Sequence, residues 1–272
     1  MTLADMARYC DFFCIGGTKN GALFGEALVL VNPCLKPDFL YIVKQRGGLF
    51  AKGRLLGIQF AELFRDGLYY ELARHANGEA MRIKAALTEL GRLLGLQNPP
   101  DHIEAFDISN IGGQTIVGGM TVFRRGRPEK RLYKKFTIKD QAAPDDYAAM
   151  EQMLTRRLTH YREAAETGKK DGFEILPDLW LIDGGAGQVA VAKRVAEQFG
   201  LEIPVFGMVK DDRHRTRAIR AENEEIAIRA SQSVFRLVTN IQDETHRYAI
   251  SFSRKKHQKA GFASTPVSYT HL

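Results

Sequence analysis

Hydrophobic positions along this chain change period twice, and the changes predict its architecture. From Ala80 the apolar residues recur at three and four. Ala80, Ile83, Ala86-Leu87, Leu90 and Leu93-Leu94 mark one face of a helix beginning near Glu79. Gly95 is placed to end it, and Pro99-Pro100 block any continuation. The stretch Ile103-Glu104-Ala105-Phe106-Asp107-Ile108-Ser109-Asn110 then reads as a strand apolar on both faces, with one carboxylate, Asp107, in its middle. Thr115–Phe123 and Lys130–Ile138 read as two further strands, joined through Arg124-Arg125-Gly126-Arg127-Pro128. Short connections make the three an antiparallel meander. Lys134 and Lys135 suit an edge strand.

Helices and strands alternate after that. Pro144-Asp145-Asp146 opens a helix with Asp145 as N-cap and Met150, Met153-Leu154, Leu158 and Tyr161 as its buried face. Leu179-Trp180-Leu181-Ile182 has the look of a strand covered on both sides. Gly184-Gly185-Ala186-Gly187 turns it into a helix from Gln188 to Phe199, and Ile203–Val209 makes a fifth strand. In the last helix, Val234 to Lys256, the stripe is Phe235, Val238, Ile241, Thr245, Tyr248-Ala249 and Phe252.

The order β-β-β-α-β-α-β-α predicts an α/β fold of ribonuclease-H-like type. It is a mixed five-stranded sheet, three antiparallel strands then alternating α/β units, with flanking helices. Right-handed crossovers set the fourth strand beside the first. Upstream, Ala27–Val31 and Phe39–Val43 read as strands ended by Asn32-Pro33 and Gln45-Arg46-Gly47, and no task follows from them. The organisation expected is an N-terminal segment over 1–100, a catalytic domain over 101–258 and an atypical tail over 259–272.

Composition narrows the partners. The 272 residues carry a net charge of +7 and a pI of about 9.3. The excess is clustered. Arg124, Arg125, Arg127, Lys130, Arg131, Lys134, Lys135 and Lys139 face Glu129 alone. Further clusters are Lys210, Arg213, Arg215, Arg217 and Arg220, and Arg254, Lys255, Lys256 and Lys259. Such stripes suit a polyanion, although each alone also serves as a solvated surface. Cys10, Cys14 and Cys34 are too few for a disulfide framework or a zinc site and fit a reducing cytoplasm. The longest apolar run, Ala27–Val31, is far short of a membrane span.

If the fourth strand pairs with the first, Asp107 and Asp183 face each other across one strand spacing, about 4.8 Å. Carboxylates that close repel unless they share a proton or a cation. A hard divalent ion, Mg²⁺ or Mn²⁺, is the natural answer, and it brings phosphodiester hydrolysis chemistry. The plainer alternatives are a strand-end cap for Asp107 and a turn residue for Asp183. His246 ligates the ion, or shuttles a proton, or merely marks the boundary of the last helix's apolar stripe. Asp146 is an outer metal group or an ordinary first-turn acid. The turn bearing Gly185, Gly187 and Gln188 lacks a P-loop's Gly-Lys-Ser/Thr; it either offers amides to a nucleic-acid phosphate or is a tight turn. Lys210, Arg213, His214, Arg215 and Arg217 form a candidate phosphate-binding loop.

At these motifs the sequence resembles the C-terminal half of the UvrC family, the incising component of the bacterial UvrABC excinuclease. The matching strings are IEAFDISNIGGQTIVGGMTVF (103–123), DDYAAMEQMLTRR (145–157), LPDLWLIDGGAGQ (176–188), VKDDRHRTR (209–217) and IQDETHRYAI (241–250). The resemblance implies a ribonuclease-H-like nuclease making the 5′ incision beside DNA damage with a divalent metal. It places the catalytic residues on Asp107, Asp183 and His246, with Asp146 a further functional acid. It implies damaged double-stranded DNA as substrate, UvrB as partner and UvrA indirectly, without a membrane. The family's GIY-YIG nuclease domain, its cysteine-rich segment, its UvrB-docking region and its helix-hairpin-helix repeats have no counterpart here. The chain therefore reads as a fragment or a product reduced to one nuclease domain. The alternatives are a nucleic-acid-binding module that does not cut by itself, and another ribonuclease-H-like nuclease.

Overall fold

The computed structural model describes residues 2–110, 116–138, 145–210, 216–222 and 224–263, without the side chains of Asn110 and of 252–263. The chain forms two compact units, Met1–Met81 and Arg82–Leu272. The first holds α1 (Leu3–Tyr9), the antiparallel pair β1 (Phe12–Gly16) and β2 (Glu26–Leu30), α2 (Phe39–Gln45), α3 (Arg54–Phe64) and the start of α4 (Leu68–Leu93). Its core is small, built on Ala22, Phe60 and Leu63.

The strand expected over Phe39–Val43 is helical instead. Five apolar residues in succession carry no period, so the run fits either element. A strand would also need a partner, and among the described residues β1 and β2 pair only with each other.

The second unit contains the five expected strands in the expected order: β3 (His102–Asn110), β4 (Ile116–Arg124), β6 (Lys134–Thr137), β7 (Leu179–Ile182) and β8 (Val205–Lys210). Three short strands extend the five: β5 (Arg127–Pro128), β9 (Thr216–Arg220) and β10 (Glu225–Ala227). The sheet runs β10-β9-β8-β7-β3-β4-β5, with β6 also on β4. β3 pairs β4 antiparallel and β7 parallel, and β7 pairs β8 parallel. Arg125 and Gly126, both at positive φ, make the two-residue turn from β4 to β5. This is the ribonuclease-H-like arrangement the sequence predicts, with β7 beside β3.

Helices cover both faces. Phe106, Trp180 and Ile182 pack under α5 (Asp146–Thr167) and α6 (Ala186–Gln198), against Met150, Met153, Leu154 and Val189. Ile103, Ala105, Leu179 and Leu181 pack on the opposite face with Leu87 and Leu90 of α4 and Val234, Val238 and Ile241 of α7 (Gln232–Ala263). Each such side chain contributes roughly 1.5–3 kcal/mol when fully buried. Asp145 caps α5 as expected, its carboxylate accepting from the Tyr147 and Ala148 amides at 2.9 and 3.2 Å. Beyond Ala263 the expected tail lies outside the described residues.

The β3 run holds two buried carboxylates, not one. Glu104 is wholly enclosed. It accepts from Arg157 Nε and a second guanidinium nitrogen at 3.1 and 2.7 Å, and from the Trp180 indole at 2.9 Å. Arg157 also donates to the Phe173 and Ile175 carbonyls. Glu104 is thus neutralised by the fold itself.

Candidate metal centre

Strand register brings the two aspartates together. Phe106 stands opposite Ile182 in the parallel β3–β7 pair, so Asp107 and Asp183 follow side by side at the carboxyl end of β7, with β3 running on to Asn110. The Asp183 amide donates to the Phe106 carbonyl at 2.8 Å, which extends the ladder by one residue. In open α/β sheets that end is where ligands bind.

A glycine lets the third residue reach them. Gly119 is the antiparallel partner of Asp107. A Cβ there would sit 3.1–3.2 Å from the backbone and Cβ of Ala249, a tight contact that would press α7 outward, so glycine suits this close approach. Farther along, the Thr121 and Thr245 hydroxyls share a buried 2.7 Å hydrogen bond that pins α7 to β4. His246 stands one turn before Ala249, on the same side of α7, and lands over Asp107.

His246 Nδ1 lies 2.9 Å from Asp107 Oδ2 and 3.9 Å from Asp183 Oδ2. One ligand atom from each of Asp107, Asp183 and His246 falls within 4.8 Å of the others. Two metal–oxygen bonds of about 2.0–2.6 Å each bridge that span. Asp107 is 5% exposed, and its burial pushes the carboxyl pKa up, helped by the neighbouring Asp183 and opposed by the His246 hydrogen bond. The same bond to Asp107 pushes the His246 pKa up against its partial burial. Asp183 is held from both sides, by Lys210 Nζ on Oδ2 at 2.7 Å and Gln242 Nε2 on Oδ1 at 2.8 Å. Two carboxylate oxygens and an imidazole nitrogen are hard and borderline donors, a set that could hold a divalent cation.

The other residues picked out in the sequence lie as follows. Asp146 is exposed at the first position of α5, outside the three-residue cluster. The Gly185 amide donates to Gln188 Oε1 at 2.9 Å, so the Gly184–Gly187 turn spends Gln188 on its own closure. A Cβ at Gly187 would strike the Tyr147 ring of α5, so the two helix starts meet there. Lys210 reaches Asp183, and Arg217 bonds the Glu225 carboxylate at 2.7 and 2.8 Å. Arg213, His214 and Arg215 fall outside the described residues. The sequence pattern does not single out Gln242, although it precedes His246 by one helical turn and so shares its side of α7.

The family model for the UvrC RNase H endonuclease domain matches residues 91–250. UvrABC system protein C of Clostridium perfringens strain SM101 is 46% identical over 183 residues, covering 65% of this chain and 30% of that protein. The same protein of Finegoldia magna is 44% identical over 196 residues, covering 72% of this chain and 31% of its own length. The chain thus spans about a third of the length of these relatives. A crystal structure of human ENDOV is 10% identical at a TM-score of 0.34, covering 65% of this chain and 98% of that one.

Proposed function

The chain belongs to the UvrC RNase H endonuclease domain family, and on that footing we propose that it hydrolyses a DNA phosphodiester at a divalent-cation site. Asp107, Asp183 and His246 hold the ion, Mg²⁺ or Mn²⁺. The reaction is the 5′ incision beside damage in nucleotide excision repair. The observation that carries this reading is the convergence of three ligand atoms within 4.8 Å, where the carboxyl end of β7 meets the middle of β3.

When bound, the ion neutralises charge on the phosphate and acidifies a water. The chain supplies the rest. Asp107 is rigid in the sheet and orients His246 through Nδ1, the nitrogen that the ring would offer the ion once it gives up its proton. The Lys210 ammonium on Asp183 holds positive charge where the scissile phosphate docks. Beside Asp183 is a hollow of about 440 Å³ whose lining includes Gly184, Gly185, Lys210, Arg217, Arg220 and the Glu225 carboxylate. We assign it to the DNA backbone, together with Gly187, Gln188, Arg213, His214 and Arg215. Asp146 serves as an outer acid. Residues 101–258 form the catalytic domain, and UvrB in the cytoplasm brings it to damaged duplex, with UvrA acting upstream.

The test is a nicked duplex carrying one bulky lesion, set against an undamaged RNA–DNA hybrid, each with Mn²⁺. Cutting of the damaged strand 5′ to the lesion, with the hybrid spared, is expected. Salt-dependent binding without cleavage in any divalent metal would make the chain a binding module instead.

A further inference from the structure

We propose that Gln242 is the positioning residue that fixes which oxygen of Asp183 faces the cation, an inference that rests on the cation-site reading above. Gln242 is 1% exposed, and both amide hydrogens and one lone pair of its carbonyl oxygen are used. Nε2 donates to Asp183 Oδ1 at 2.8 Å and to the Met208 carbonyl at 3.1 Å. Oε1 accepts from the Thr216 hydroxyl at 2.6 Å.

These partners leave the amide one orientation. Turned over, it would set its oxygen against a carboxylate and a carbonyl, which only accept, and lose both donations. The carboxylate of Asp183 is therefore gripped at Oδ1 and cannot spin about its own axis. Oδ2 is left facing His246 Nδ1 at 3.9 Å. Lys210 also touches Oδ2, but from a partly exposed side chain on a long flexible stem. Lys210 can yield that oxygen to an ion, whereas Gln242 is enclosed and does not withdraw.

The same amide joins four elements. It starts from α7, meets the residue after β7, takes a carbonyl of β8 and receives a hydroxyl from β9. Gln242 and His246 are one turn apart on α7. The helix thus delivers one group to the ion and another to the back of its ligand, which couples the positions of Asp183 and His246. Outer partners of this kind hold a ligand in register for the metal.

Isothermal titration of the metal-free chain with Mn²⁺ tests this. Gln242→Met keeps volume and removes the amide; Thr216→Val removes only the hydroxyl that orients it. Gln242→Met is expected to weaken Mn²⁺ binding by about 10–100-fold, and Thr216→Val by about fivefold. DNA affinity without metal should stay at the wild-type value in both. If Gln242→Met does not fold, Thr216→Val decides alone. Mn²⁺ affinity within about twofold of wild type in the folded variants overturns the proposal. Asp183→Asn separates the two levels. If Asp183→Asn loses Mn²⁺ while Gln242→Met keeps it, only the positioning role fails. If Asp183→Asn binds Mn²⁺ like wild type, the cation site itself fails.

Discussion

Asp107 and His246 stand 139 residues apart in the chain and 2.9 Å apart in the fold. Neither has its ordinary acidity. Burial raises the Asp107 pKa, and the hydrogen bond that His246 donates to Asp107 raises the pKa of His246 above the usual 6.5. The imidazolium's contribution to stability is therefore fully present below about pH 6.5 and is lost as pH rises through the raised folded value. In the metal-free protein, an NMR titration should find His246 changing charge above 6.5. Asp107→Asn should lower that midpoint. A wild-type midpoint at or below the ordinary value would contradict the pairing.

Gly119→Val should separate the same two residues while leaving both side chains in place in the sequence. The added side chain meets Ala249 and pushes α7 outward. Overpacking of this kind costs about 1–3 kcal/mol, and misplacing a reacting group by about 1 Å costs roughly 100-fold in rate. Urea unfolding and incision rate, measured together, should show a rate loss larger than the stability loss explains. Unchanged incision would mean that the approach of α7 at Gly119 is irrelevant to the site.

Glu104→Gln tests the enclosed pair of the central strand. It leaves the Arg157 guanidinium uncompensated in the core, and breaking a buried pair from one side costs about 3–5 kcal/mol. The midpoint of chemical denaturation should fall accordingly. Arg92→Ala, which removes an exposed ion pair with Glu89, should leave it in place. Equal midpoints for Glu104→Gln and wild type would show that Arg157 finds other relief.

His102 gives the fold an acid sensitivity of opposite sign to that of His246. Its ring is buried and neither nitrogen has a hydrogen-bond partner, although the Glu104 carboxylate lies 3.9 Å from Nε2. Burial lowers its pKa, so the unfolded chain takes up a proton near 6.5 that the folded chain refuses. Stability from this residue is complete above that value and falls as pH drops toward the lowered folded pKa. Unfolding free energy measured from about pH 7.5 down to about 5 should fall less steeply in His102→Gln than in wild type. His246 is common to both proteins and cancels in the difference, so parallel curves would contradict the assignment.

The limits of the sequence follow from what each signal depends on. The five main strands and the β3–β7 pairing are legible because period and connection length are local, and crossover handedness does the rest. The juxtaposition of Asp107 and Asp183 follows from that order alone. β9 escapes because Arg217 and Arg220 flank its buried Ala218 and Ile219, so the strand reads as a basic cluster. Phe39–Val43 suggests the wrong element because an unbroken apolar run has no period. The Glu104–Arg157 pair and the Gln242 amide are invisible for another reason. Their partners sit on elements 53 and 59 residues away, and no spacing along the chain reports a tertiary contact.

The central claim is that Asp107 and Asp183 share a cation that serves phosphodiester hydrolysis. Incision of a damaged, nicked duplex in Mn²⁺, wild type against Asp107→Asn, tests it most directly. The account predicts cutting by wild type that stops on chelation, and a loss of about 1,000-fold or more in Asp107→Asn, a barrier increase of roughly 4 kcal/mol. Equal cutting by the two proteins, with both folded, would contradict it.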